Sequence, residues 1–245
     1  MTKQSLKVSE VVARDIVSSI ADGDPGDMLE SEADMLVSFG VSRGTLREAL
    51  RLLETQGLVQ LKPGPRGGPV VGRPSPEYLG KTISMFLRMM GVTYGDVCEC
   101  VVLIAPRIAE LAARRCDKGE AEIALAPWLD DSETSPDNQQ RRQANFHSVI
   151  YQLAGNRILT LVMNAIESVF LDHLLIDVNL DCDYIIAQSD SSARIKHTEH
   201  QDIAKSIVAK KHSKARTLME EHLQDIIESC RENLPAKMDQ SVEWR

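Results

Sequence analysis

The chain has 245 residues, of which 43% are hydrophobic, and a formal net charge of −8. That size allows one large or two modest domains, and the acidic balance argues against a protein that coats nucleic acid indiscriminately. Aromatic residues are only 4% of the chain, so a core must come from Leu, Ile, Val, Ala and Met, which suits packed helices.

Residues 5–20 place Val8, Val11, Val12, Ile16 and Ile20 at helical spacing. The Gly- and Pro-rich "ADGDPGD" then interrupts the chain. A second helix is expected from "SEAD", with Ser31 as cap and Asp34 three residues on; Met35, Leu36 and Phe39 are its apolar members and Gly40 its stop. A third opens at Ser42. Leu46, Ala49, Leu50 and Leu53 form one stripe, and Arg43, Arg47 and Arg51 recur every four residues on a neighbouring face. Two extended runs, "LVQLK" and "GPVVG", flank the turn "PGPRGG" and read as a hairpin.

"RPSPEY" reads as a linker. Beyond it the pattern is helical throughout, with segments expected at 76–90, 94–115, 119–130, 137–154, 156–176, 192–209 and 213–233; residues 177–191 are ambiguous between loop and short helix. The expected fold class is mainly α. A winged helix-turn-helix (three helices and a β-hairpin wing) spans 1–73 and a linker 74–79. An all-helical bundle of six to seven helices spans 80–235 and a tail 236–245.

A short helix pair whose second member begins "VSR" has the order of a helix-turn-helix, in which the first turns of the second helix reach base edges. Arg43, Gly44, Thr45, Arg47 and Arg51 are the candidate DNA contacts there. Arginine suits the role because its planar fork holds guanine or phosphate with two hydrogen bonds. Arg66 and Gly67 are the candidates on the wing, where glycine permits close approach to a minor groove. Between residues 43 and 73, six cations (Arg43, Arg47, Arg51, Lys62, Arg66, Arg73) stand against Glu48 and Glu54. A local positive face on an acidic body is what a targeted DNA reader requires. The plainer alternatives are a solvated charged face on the helix and an ordinary surface turn at the wing.

In the second half, His147, His200 and His222 lie in half-apolar helical stretches. Three imidazoles suit Zn²⁺ or Ni²⁺, but they are far apart in sequence, and core or surface histidines are the alternative. No HExxH or equivalent accompanies them, which disfavours a metal-dependent hydrolase. The five cysteines, Cys98, Cys100, Cys116, Cys182 and Cys230, include no CxxC pair and read as reduced thiols. No apolar run reaches the about 20 residues of a membrane span, and the first residues do not resemble a signal peptide. A soluble cytoplasmic protein with no membrane partner is expected.

The words "GDMLESEADML", "FGVSRGTLREALRLLETQGLV" and "RGGPVV" resemble the winged-helix domain of GntR-type bacterial transcription regulators. The resemblance implies operator contacts from Arg43, Arg47 and Gly67. It lacks an arginine that some members carry at the position of Ala33, and has Glu30 where a proline is usual. The words "APRIAELAARR", "EHQDIAKSI" and "ARTLMEEHL" resemble the FCD ligand-binding domain of the FadR branch. That resemblance implies a divalent metal held by His147, His200 and His222 with a carboxylate four residues before the first histidine, where this chain has Gln143. Val101 and Ala105 occupy positions where members that sense small carboxylates carry Arg and Glu. With Gln143 and the three histidines they are the candidate effector contacts, in a pocket less polar than that of a sugar-acid sensor; Arg107 is the alternative anion partner. Together the resemblances imply a homodimeric regulator, commonly a repressor, of palindromic operator DNA under a small-molecule effector. An architectural DNA-binding protein without an effector is the other reading.

Overall fold

The computed structural model describes residues 7–64, 67–73, 76–129, 146–174 and 190–243. The chain divides into two compact units, Met1–Tyr78 and Leu79–Arg245.

The first unit is built from α1 (Val8–Ile20), α2 (Glu32–Phe39), α3 (Arg43–Thr55), β1 (Val59–Lys62) and β2 (Gly68–Val71). Its helices begin and end for local reasons. The Ser31 hydroxyl accepts from the Asp34 amide and the Ser42 hydroxyl from the Thr45 amide, so two otherwise orphaned donors are satisfied. Gly40 closes α2 in the left-handed region at φ 62°, where a side chain would be strained. Leu46, Ala49, Leu50 and Leu53 bury one side of α3 against Val12 and Ile16 of α1 and Met35 of α2.

The apolar spacing of α1 overstates its buried face. Val8 is 62% and Val11 37% exposed, whereas Ser9, Val12, Ala13 and Ile16 are buried. β1 and β2 pair antiparallel in the register Val59↔Val71 to Lys62↔Gly68. A pairing the sequence does not announce extends them. Met28 bridges Val70, the Leu29 amide donates to the Pro69 carbonyl and the Val71 amide to that of Asp27. The "DPGD" turn thus returns the chain alongside the hairpin.

The second unit is helical among the described residues. It contains α4 (Pro76–Met90), whose first residues precede the division, then α5 (Tyr94–Arg115), α6 (Lys118–Leu129), α7 (146–153), α8 (Arg157–Leu174), α9 (Asp190–Val208), α10 (His212–Asn233) and α11 (Pro235–Met238). Residues 76–79, where the expected linker and the expected helix 76–90 overlap, are helical. Thr93 and Asp96 cap α5 reciprocally: the Thr93 hydroxyl accepts from the Asp96 amide, and the Asp96 carboxylate accepts from the Thr93 amide at 2.8 Å. The main core joins α5, α6, α7, α9 and α10 around Ala105, Leu125, Phe146, Ile203 and Met219.

Residues 236–243, read as a tail, are packed. Met238 and Val242 are buried, the Tyr94 amide donates to the Gln240 carbonyl, and the Val242 amide donates to that of Val92. Those apolar residues would otherwise face water, and the start of α5 offers backbone partners. No helix among the described residues is long and apolar enough to cross a membrane.

Candidate functional site

Two constellations carry chemistry. In the first unit, the apolar stripe of α3 faces inward and so turns its arginines outward. Arg43, Arg47 and Arg51 are exposed, as is Gly44, and Thr45 is half-buried. Among the described residues Arg47 has one ion pair, Nε to Glu32 Oε2 at 3.8 Å, with the two side chains 70% and 45% exposed. Exposed pairs of this kind are weak, so the guanidinium is available to a phosphate or a base edge. Thr45 supports the helix start, its hydroxyl 2.9 Å from that of Ser42. The wing places Gly67 against the first strand: a Cβ there would lie 2.1 Å from the Lys62 carbonyl oxygen and 2.7 Å from the Pro63 carbonyl carbon. Glycine at 67 is therefore required by the turn itself, whatever else approaches it. Arg66 lies outside the described residues.

In the second unit the three histidines converge. His147 stands on α7, His200 on α9 and His222 on α10. Nε2 of His222 lies 3.1 Å from Nε2 of His200 and 3.4 Å from Nε2 of His147, and one ligand atom from each residue falls within a 4.8 Å group. His200 and His222 are buried, and the His147 side chain is 19% exposed. Phe146 stacks on His200 with ring centroids 4.0 Å apart, which fixes that imidazole's plane.

Two carboxylates that sequence reasoning passed over complete the site. Glu167 on α8 presents Oε1 3.0 Å from His147 Nδ1, and the Tyr151 hydroxyl donates to the same oxygen. Burial, and then the Glu167 charge beside it, push the Tyr151 phenol well above its usual range. Glu199 places Oε2 2.7 Å from His222 Nδ1. A sequence signal for Glu167 exists: it sits one turn after buried Met163 and beside half-buried Ile166, a carboxylate in a core register. Glu199 has only its adjacency to His200.

Tetrahedral zinc with Zn–N bonds of about 2.0–2.1 Å requires nitrogens about 3.3 Å apart, close to the two spacings observed. Imidazole nitrogens also suit a borderline divalent ion such as zinc or nickel, so the donor set fits a metal. Gln143 lies outside the described residues. Val101 and Ala105 are buried in the α5 face that joins the core, whereas neighbouring Leu103 is 66% exposed and faces away from it. Arg107 is exposed and pairs with Glu110 at 3.1 Å.

The profile of the gntR family of bacterial regulatory proteins matches residues 8–67, and that of the FCD domain matches residues 96–225. The chain belongs to the GntR family and carries an FCD domain. The FCD match spans all three histidines together with Glu167 and Glu199. The HTH-type transcriptional regulator LutR of Bacillus subtilis is 25% identical over 204 residues, covering 82% of this chain and 90% of that protein. The HTH-type transcriptional repressor NanR of Shigella sonnei is 28% identical over 179 residues, covering 69% of this chain and 65% of that protein. A solved structure of Streptococcus agalactiae GntR is similar in fold, with a TM-score of 0.67 at 22% identity, covering 90% of this chain and 99% of that one. The chain is thus a transcription regulator with an FCD effector-binding domain. Its named relatives are regulators and not enzymes, in line with the preference for a regulator over a hydrolase.

Proposed function

We propose that this GntR-family regulator represses by binding a palindromic operator as a homodimer, with Arg43 and Arg47 at base edges and Arg51 at the backbone. The single observation that carries the DNA reading is the division of α3 into a buried leucine face and an exposed arginine face. A helix held from behind by its own unit can enter a major groove without unfolding anything. The wing, with Gly67 and Arg66, is proposed to meet the adjacent minor groove. Two-fold protein symmetry matches a two-fold site.

The second unit is proposed to hold zinc or nickel through His147, His200 and His222, and to take an effector beside the ion. A bound ion would supply a Lewis-acid position for a donor atom of the effector. The protein's part is to orient three nitrogens and keep bulk water from His200 and His222. Val101 and Ala105, buried apolar residues, stand where sugar-acid sensors carry charged ones and leave no charge there to clamp a second carboxylate, which supports an acyl-bearing or otherwise partly apolar effector. Effector binding then shifts the population of operator-competent dimers.

The test selects a duplex from a random pool and follows its binding by fluorescence anisotropy, with zinc or nickel present or removed, against fatty acyl thioesters, hexuronates and lactate. Weaker operator binding in the presence of an acyl compound is the expected result. A response to the sugar acids alone overturns the effector assignment. No response of DNA affinity or melting temperature to any small molecule favours the architectural reading.

A further inference from the structure

The structure assigns Glu167 and Glu199 as positioning residues of the histidine site: each holds one imidazole through its Nδ1 so that the Nε2 lone pair is presented to a common ion. This rests on the reading of His147, His200 and His222 as metal donors. Glu167 lies outside the residue patterns that suggest the ligands, and Glu199 enters them only as the neighbour of His200.

The argument is one of hydrogen-bond inventory. A neutral imidazole has one N–H and one lone pair, and a carboxylate only accepts. His147 Nδ1 faces Glu167 Oε1 at 3.0 Å and His222 Nδ1 faces Glu199 Oε2 at 2.7 Å. With the rings neutral, as metal binding requires, both Nδ1 atoms carry the hydrogen and both Nε2 atoms carry lone pairs. Those two Nε2 atoms are 3.4 Å apart, and Nε2 of His200 is 3.1 Å from that of His222. Two lone pairs at that separation repel, and a cation bound by both reverses the sign. Glu167 is itself anchored, because the Tyr151 hydroxyl one turn along α7 from His147 donates to the same Oε1.

The arrangement also answers the missing carboxylate at Gln143. A carboxylate in direct contact with the ion neutralises charge but occupies a coordination position. Two carboxylates behind the imidazoles offset the two charges of the ion and occupy none. Outer carboxylates of this kind raise ligand basicity and fix the tautomer, and their loss costs about 10–100-fold in metal affinity.

The test uses the full chain, freed of metal, with Zn²⁺ and Co²⁺ competed against a chelating indicator. Glu167→Gln and Glu199→Gln, which preserve size, are expected each to weaken Zn²⁺ by about 10–100-fold and to shift the Co²⁺ absorption bands. Tyr151→Phe is expected to produce a smaller loss, and the exposed-face control Glu228→Gln none. ¹⁵N imidazole spectra of the zinc-loaded wild type are expected to show slowly exchanging Nδ1–H protons on His147 and His222. Should a variant fail to fold, that wild-type spectrum decides: coordination through Nδ1, or Nδ1–H protons exchanging freely with water, overturns the assignment. Wild-type metal binding with unchanged affinity and Co²⁺ spectra in both Gln variants also overturns it, leaving the metal reading intact. Failure of the wild type to bind either ion overturns the metal reading and this inference together.

Discussion

Arg47→Ala separates DNA reading from folding. The Arg47 side chain is 70% exposed and its ion pair to Glu32 is 3.8 Å long, so the folded state loses at most a few tenths of a kcal/mol of the about 0–1 kcal/mol typical of exposed pairs. On operator DNA the same side chain, if it holds a guanine with two hydrogen bonds, contributes about 1–3 kcal/mol of discrimination. The expected outcome is a fall in specific affinity of about 5- to 150-fold, with the urea midpoint unchanged. Fluorescence anisotropy on the selected operator and on a scrambled duplex, at several salt concentrations, makes the measurement. Equal losses on both duplexes, with a salt slope reduced by about one, would recast Arg47 as a phosphate contact. No loss on either would refute the outward presentation of the α3 arginines as the DNA-reading face. Glu32→Ala supplies the complementary arm: removal of the competing carboxylate is expected to leave affinity the same or slightly tighter.

Leu50 is 1% exposed in the core of the first unit, so Leu50→Ala is expected to cost about 2.7–5 kcal/mol in chemical denaturation; a loss under about 1 kcal/mol would contradict the packing described. Gly67→Ala forces a Cβ to 2.1 Å from the Lys62 carbonyl, so it is expected to destabilise the wing by about 1–3 kcal/mol in the absence of DNA, and an unchanged melting curve would show that the turn tolerates a side chain. Saturating zinc at about 100 times its dissociation constant is expected to stabilise the protein by about 2.7 kcal/mol, with chelation reversing the gain in a thermal scan; indifference to both would argue against the metal site. Burial, and then neighbouring Cys230, push the Cys98 thiol from the ordinary 9.0 up to about 12. Below pH 9 both folded and unfolded chains keep it neutral. Above that the unfolded thiol ionises first, so stability is expected to decline from pH 9 toward 12. Cys98→Ala lessening that decline is the check, and an identical pH profile in the variant would refute it.

The sequence by itself determined what depends on near neighbours. Ser31, Ser42 and Thr93 mark helix starts because a hydroxyl reaches an amide three residues on, and Gly40 marks a stop because only its own φ is at issue. The leucine stripe of α3 set its arginines outward through helical period alone, and the second half's helices followed the same rule. Periodicity misread Val8 and Val11, because a spacing does not say how wide a partner's face is, and it treated the last residues as a tail although Val242 finds its partners near Val92, about 150 residues away along the chain. The meeting of His147, His200 and His222 was implied by family resemblance and not by their spacing, and the tertiary structure alone decided that Glu167 and Glu199 stand behind two of them and that residues 27–29 join the hairpin. Caps and stripes are fixed by contacts within a turn or two. Convergence of groups on four different helices is fixed by which faces pack together, a choice set by the whole core and written at no single place in the chain.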